Sequence, residues 1–438
     1  MIGIWGAMNS LGAGGAQSPY LVNTANALTF CLMVISCYFS SAIVHYIGIK
    51  GALMVGTIGY APYAAGLYAN NRYGNEWLVL VGAALCGMSA GIFWMAEAAI
   101  AIVYPEPYNR GKVLGYWLTY RLGGQILGGA INLGINSDRS EAGSVSYTVY
   151  IIFIALQCTG PFVAFFLNSP SKVERTDGRK VELSILNSPW SEIKLTTRLF
   201  FTKKFLLIVL FIGQAVYSEA VYNTYLSLWF SVRARALGSF LSGIVAVTMG
   251  NVLGAFLDRT VVSLQKRTRI SFFVIITLQG GWWIWATVLV TRFKVTQPTY
   301  DWASSGFGHA FAPYILLCAG FQLNYLFLYF IVANLADDSQ EVVRYAALLR
   351  GTESAWQAVS YGLGSIVLFA EVGGVYLNFA LWAISLAPVW LVLRHFGSEG
   401  DRTIEADSSD ADAGSAREKN GLGVLDRAVT APADGEVR

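Results

Sequence analysis

The chain of 438 residues is 55% apolar, 14% aromatic and only 13% charged, with 45 glycines. A soluble domain carries about a quarter charged residues, so this composition excludes an ordinary water-soluble core and points to an integral membrane protein. A net charge of +3, dispersed along the chain, gives no clustered basic face for nucleic acid.

Met1 to Ala16 is apolar and Gly-rich, and no Lys, Arg, Asp or Glu precedes Lys50, so the start has no signal-peptide basic region. The stretch is shorter than the roughly 20 residues that cross ~30 Å of hydrocarbon. It is expected to be the back half of a first helix. Eleven apolar segments of spanning length follow, near 21–44, 51–69, 77–104, 112–135, 147–167, 205–230, 236–257, 269–291, 312–333, 345–370 and 373–394. The longest polar loop, Asn168 to Lys204, holds eight basic residues including Lys194 and Arg198, and divides the spans into two sets of six once the first fragment is counted.

The expected organisation is a helical bundle over 1–167, a basic linker over 168–204, a second bundle over 205–394 and a tail over 395–438. The tail's Ser, Asp, Ala and Gly content cannot form a packed core, and it reads as disordered. Alternate loops, those with Lys50, Arg110 and Lys112, the linker, Arg259 to Arg269, and Arg344, hold roughly sixteen basic residues against about six in the others. That set, and with it the C-terminus, is expected on the cytoplasmic side.

The most informative stretch is Gly87 to Asn136, two spans joined by Pro105-Glu106-Pro107-Tyr108-Asn109. Each proline lacks an N–H and restricts the residue before it, ending the first helix, and Asn109 can cap the second. One arm carries a lone acid, Glu97, and the other a lone base, Arg121, at depths that an Arg side chain can bridge. Gly87 and Gly91, Gly111 and Gly115, and Gly124 and Gly128 are spaced for close helix approach in lipid.

Ionisable groups inside spans cost several kcal/mol unless paired or wetted, which makes them functional candidates. Arg121, Gln125, Gly128 and Asn132 share one helix face, and Arg350, Glu353, Gln357 and Ser360 repeat that pattern near the end of the chain. Gln214, Tyr217, Glu219, Tyr222 and Asn223 form a polar patch on the span after the linker, and Gln322, Asn324, Tyr325 and Tyr329 form another. One reading is a central cavity between the bundles with Glu97, Arg121, Glu219 and Glu353 as its charged lining, joined by Gln125, Asn223 and Gln357. The other reading is that Glu97 with Arg121, and Arg350 with Glu353, are ion pairs that only fix packing. Glu219 has no basic partner in its own span and is the stronger candidate for function.

Trp282, Trp283 and Trp285 are expected at the outer membrane interface, and His309 in a loop. The five cysteines, all in apolar stretches without CxxC spacing, read as buried thiols. No metal-ligand spacing, nucleophilic triad or nucleotide fingerprint is present, so neither a cofactor nor an enzyme activity is expected.

Ser41 to Lys50 (SAIVHYIGIK) and Gly254 to Arg269 (GAFLDRTVVSLQKRTR) each follow the second helix of a half. Both resemble the G-x-L-x-D-R-x-G-R-K gate loop of the major facilitator superfamily. The second keeps Gly254, Asp258 and Arg259; the first has Ser41 and His45 where Gly and Asp are usual and keeps Gly48 and Lys50. MNSLGAGG (Met8 to Gly15), Ala61 to Gly74, Gly87 to Pro107 and Arg121 to Asn136 resemble the fungal Unc-ninety-three-like branch of that superfamily.

The resemblance implies an all-α polytopic fold of two six-helix bundles, eleven full spans here plus the partial first helix. It also implies a transporter-like protein, one that would move a small-molecule substrate by alternating access; the carboxylates inside the spans, Glu219 or Glu97, are the candidates for proton coupling. The alternative it implies is a non-transporting protein that regulates or escorts a membrane-protein partner in the lipid bilayer.

Overall fold

The computed structural model describes residues 2–11, 13–16, 18–103, 110–168, 172, 189–259, 261–335 and 339–394. The first half comprises α1 (Ile2–Ser10), α2 (Pro19–Ile58), α3 (Tyr60–Tyr73), α4 (Glu76–Val103), α5 (Arg110–Asn136), α6 (Tyr147–Cys158) and α7 (Gly160–Phe166). After α8 (Pro189–Phe200), the second half holds α9 (Lys203–Trp229), α10 (Val232–Leu257), α11 (Leu264–Thr296), α12 (Phe307–Ala333), α13 (Ser339–Gly364) and α14 (Gly374–Leu393). The described residues contain no strand, only an isolated bridge between Phe230 and Tyr300.

Local chemistry sets the helix ends. Pro19 opens α2 at a position whose N–H has no helical partner anyway. Gly74 closes α3 in the left-handed region and donates its N–H to the Asn70 carbonyl at 2.9 Å. The Ser231 hydroxyl caps α10 by accepting from the Ala234 N–H at 3.3 Å. The stretch Ser41 to Lys50, expected between two spans, is helical up to a kink at Gly48, whose φ of 69° turns the chain from one span into the next.

Nine helical segments among the described residues are long and apolar enough to cross a membrane. The spans expected at 112–135 and 345–370 coincide with α5 and α13, which are long enough but too polar to be among the nine. A helix that buries its polar face between bundles has no need of apolar residues all round.

The halves meet along two seams, α5 against α10 and α2 against α13. In the first, glycines replace side chains from both sides. A Cβ on Gly129 would lie 2.6 Å from the Phe240 Cα, and one on Gly243 would lie 2.7 Å from the Ile126 side chain. In the second, Asn23 donates to the Gly364 carbonyl at 2.8 Å, and the Phe30 and Tyr361 rings stack at 5.5 Å. The core around α1 to α4 also takes in Ala220, Ala236, Ala358 and Tyr361 of the second half.

Trp283 is 1% exposed and packs inside the second half. Two expectations on single residues are corrected. His309 belongs to the first turn of α12 and packs on Trp285 at 5.3 Å. Cys31 and Cys158 are exposed; Cys37, Cys86 and Cys318 are buried. The Pro105 to Asn109 turn and the 395–438 tail lie outside the described residues.

Candidate functional site

Between the halves lies a cavity of about 110 Å³, walled by α1 to α5 on one side and by α9, α10, α12 and α13 on the other. At ~10–15 Å³ of probe-occupied space per water, it has room for several waters or a small solute. Its wall mixes aromatic rings, including Trp5, Phe30, Trp94 and Tyr222, with the amides of Gln125, Asn223, Gln322 and Gln357. Among the described residues the charged groups in the wall are Glu219 and Arg350.

Glu219 sits on α9 and Gln357 on α13, and the Gln357 amide donates to the Glu219 carboxylate. The side-chain oxygen of Gln357, the indole N–H of Trp5 and the amide nitrogen of Gln322 are buried and make no hydrogen bond among the described residues. Orphaned buried polar atoms are costly, and these two donors and one acceptor belong to residues of both halves that line the cavity. Gln125 reaches across the α5/α10 seam to the Ser242 hydroxyl at 3.0 Å. Asn223 is buried in the wall.

Two of the expected lining carboxylates stand elsewhere. Glu353 is fully buried on α13, one helical turn beyond Arg350, and its carboxylate receives the Arg350 guanidinium instead of facing the cavity. Glu97 accepts the Trp117 indole N–H at 2.9 Å and is absent from the cavity wall. Helical spacing assigns residues to a common face, but it cannot say which neighbour that face meets. The Arg121 side chain lies outside the described residues, as does that of Ser41.

The remaining gate-motif residues are remote from the cavity. His45 is exposed beside Tyr46, Lys50 lies 5.1 Å from the centre of the Phe165 ring, and Gly48 forms the break in α2. Asp258 occupies the C-cap of α10, where its N–H donates to the Gly254 carbonyl at 3.0 Å. Arg259 is exposed, and its carbonyl accepts from Arg267 at 3.0 Å.

Sequence reasoning did not single out Arg235. It is 1% exposed at the start of α10, and its guanidinium donates to the carbonyls of Leu11 at 2.7 Å, Gly143 at 2.9 Å and Ala16 at 3.0 Å. All three acceptors belong to the first half. Ser239 adds a bond to the Ala7 carbonyl at 3.0 Å and one with Ser10 at 2.7 Å. These contacts tie the halves together at one end of the cavity; the only sequence signal was a base at the edge of a span.

At the same end Asp301 receives Arg233 and the Ser231 hydroxyl. The hydrogen bond from Arg233 outweighs a burial that acts the other way and holds the Asp301 carboxyl well below the usual carboxylate range. At the opposite, basic end Asn251 reaches Thr119 at 3.2 Å across the α5/α10 seam, and Arg344 makes a two-pronged pair with Glu192 of α8 at 2.9 and 3.0 Å. No group of three or more His, Cys, Asp or Glu that could hold a metal ion is found among the described residues.

Comparison with known proteins identifies related chains. A family model described as "Ion channel regulatory protein UNC-93" matches residues 18–279. The notoamide biosynthesis cluster protein O' of Aspergillus versicolor is 37% identical over 397 residues, 90% of this chain and 86% of that one. The UNC93-like protein 1 of Arabidopsis thaliana is 27% identical over 93% of this chain and 89% of its own.

Among solved structures, the xylose transporter XylE of E. coli in a partially occluded inward-open conformation superimposes with a TM-score of 0.58 at 10% identity, covering 89% of this chain and 95% of that one. The E. coli fucose:proton symporter FucP gives 0.54 at 13% identity, over 90% and 96%. At such identities the likeness is one of fold: that of a multi-pass, all-α transporter of the major facilitator type.

Proposed function

The chain belongs to the UNC-93 family, and from that premise we propose that it is a carrier that moves a small polar solute between its two halves by alternating access. The observation behind this reading is the cavity at the seam, lined by Glu219 with its Gln357 partner and by Trp5 and Gln322, residues of both halves that hold unsatisfied polar atoms. A site at the interface of two repeats is where such carriers bind their cargo. Residues 1–167 and 205–394 act as the two rocking bodies, and the basic loops set one end, with the C-terminus, at the cytoplasmic face. The Aspergillus relative, named for a biosynthesis cluster, supports a small organic solute.

Glu219 is the group assigned to proton exchange, since a carboxylate shared with the Gln357 amide can gain a proton when that contact breaks. The test is proton-driven uptake in proteoliposomes. Glu219→Gln is expected to abolish uphill uptake while equilibrium exchange persists; uphill uptake at the wild-type rate would remove Glu219 from the mechanism.

A second reading follows from the printed description of the family, which names a channel regulator. In that role the chain binds a membrane-protein partner and carries no flux. Solute-dependent thermal stabilisation of the purified chain favours the carrier, and a stoichiometric membrane-protein partner without solute binding favours the regulator.

A further inference from the structure

The α2/α13 seam is tight where Asn23 meets Gly364 and splays toward the basic end. There the walls enclose a groove of about 580 Å³. Its floor is Ala347, Gly351 and Ala355, small residues on one face of α13, and a Cβ placed on Gly351 would meet no atom of the described residues within 4 Å. A small-residue stripe normally marks a helix packed close against it. Here, among the described residues, that space is left open beside Tyr38 and Phe39, which are themselves exposed.

Two further features define what fits. The groove runs along α13 from Arg344 to Trp356, which at ~1.5 Å per residue is about 18 Å, close to the depth of one leaflet in a core ~30 Å thick. Its basic end is roofed by α8, whose Thr197 and Phe200 line it. The roof is pinned to α13 through Glu192 and Arg344, and to α2 by a 2.8 Å hydrogen bond between Thr197 and Tyr38. A partner's spanning helix must continue through the whole bilayer and would run into that roof. A lipid tail enters from the side and ends inside. The roof helix α8 and the start of α9 carry exposed Lys194, Arg198, Lys203 and Lys204, a basic collar on the elements at this end that complements a phosphate headgroup.

We propose that this groove is a lipid site, holding one acyl chain of an anionic glycerophospholipid from the leaflet against which α8 lies, with its headgroup on the collar. The bound tail then forms part of the α2/α13 seam, filling space between helices of opposite halves.

The test counts phospholipids on the intact purified chain by native mass spectrometry, after reconstitution into phosphatidylcholine nanodiscs with and without added phosphatidylserine. The wild type is expected to keep one phospholipid through detergent exchange and to prefer the serine lipid. In Gly351→Leu the new side chain grows into open space and improves helix propensity, so the fold should survive. That variant is expected to retain about tenfold less lipid, the equivalent of two methylenes kept out of the groove. Lys194→Ala with Arg198→Ala is expected to keep the tail and lose the preference for phosphatidylserine. Wild-type lipid retention by a folded Gly351→Leu overturns the proposal. So does a photocrosslinker at position 351 that captures a polypeptide in native membranes and no lipid.

Discussion

The guanidinium of Arg350 lies 3.9 Å from the centre of the Trp94 ring, so a cation on α13 of the second half rests on an aromatic face of α4 in the first. The same guanidinium pairs with Glu353 and donates to the Tyr325 hydroxyl at 3.0 Å. A charge held in this way is a joint between the halves at the cavity wall. Dispersing it over a ring and a carboxylate offsets the cost of taking it out of water.

From that arrangement, removing one member of the ion pair should be far worse than removing both. Glu353→Ala is expected to destabilise the chain by about 3–5 kcal/mol, because it leaves the buried cation without its carboxylate. Arg350→Met combined with Glu353→Leu should restore most of the loss. Chemical unfolding in detergent, run as a double-mutant cycle, measures both; additive losses would show that the two residues act independently.

Arg235 should control opening at its end of the cavity. Arg235→Ala leaves three first-half carbonyls without these donors, a loss on the order of 3 kcal/mol for charge-assisted bonds. A cysteine at Ala236, which is buried in the first-half core, reports on the seam in an otherwise cysteine-free chain. Its maleimide labelling is expected to quicken at least about tenfold in the Arg235→Ala background as the closed population falls. Unchanged labelling would mean that the closure rests on other contacts.

The Arg233–Asp301 tie should respond to acid and not to mild changes of pH. Asp301 titrates below its unfolded value near ~4, so its stabilisation is fully present above that value and lost as pH falls through the folded one. Asp301→Asn is therefore expected to lower Tm at pH 7 by about 2 °C. The gap to wild type should stay constant from pH 7 to about 5 and narrow below about 4. A gap that narrows between pH 7 and 5 would assign the effect to a different group.

One substitution should have opposite signs at two glycines. At Gly87 an added Cβ would collide with the backbone carbonyl of Thr29 on α2, and overpacking of about 1–3 kcal/mol outweighs the gain in propensity. At Gly351 none of the described residues stands within 4 Å, and Gly351→Ala should stabilise by up to about 1 kcal/mol. Thermal unfolding of the two variants side by side gives the comparison.

Much of the helical layout was legible in the residues. Prolines, polar turns and apolar lengths are local signals, and glycines spaced four apart at Gly87 and Gly91 do abut α2, at Thr29 and Ser36. The first gate motif falls where one span passes into the next, and the turn there is compressed to a kink at Gly48, whose positive φ only glycine adopts readily. Glu219 was recognised as a buried acid, yet its contact with Gln357 joins positions 138 residues apart. Arg235 escaped notice because its acceptors are backbone carbonyls, which carry no side-chain signature.

By itself the amino-acid sequence determined that the chain enters lipid, where its helices run and which residues are too costly to leave unpartnered there, since each of these follows from composition and period within one segment. Only the tertiary structure decided that Glu353 turns to Arg350, that Glu219 and Gln357 meet in the cavity wall and that the α2/α13 seam stays open at one end. Lipid tails are as apolar as the helix faces they touch, so hydrophobicity does not choose helix partners. The fit of small and large side chains across distant segments makes that choice.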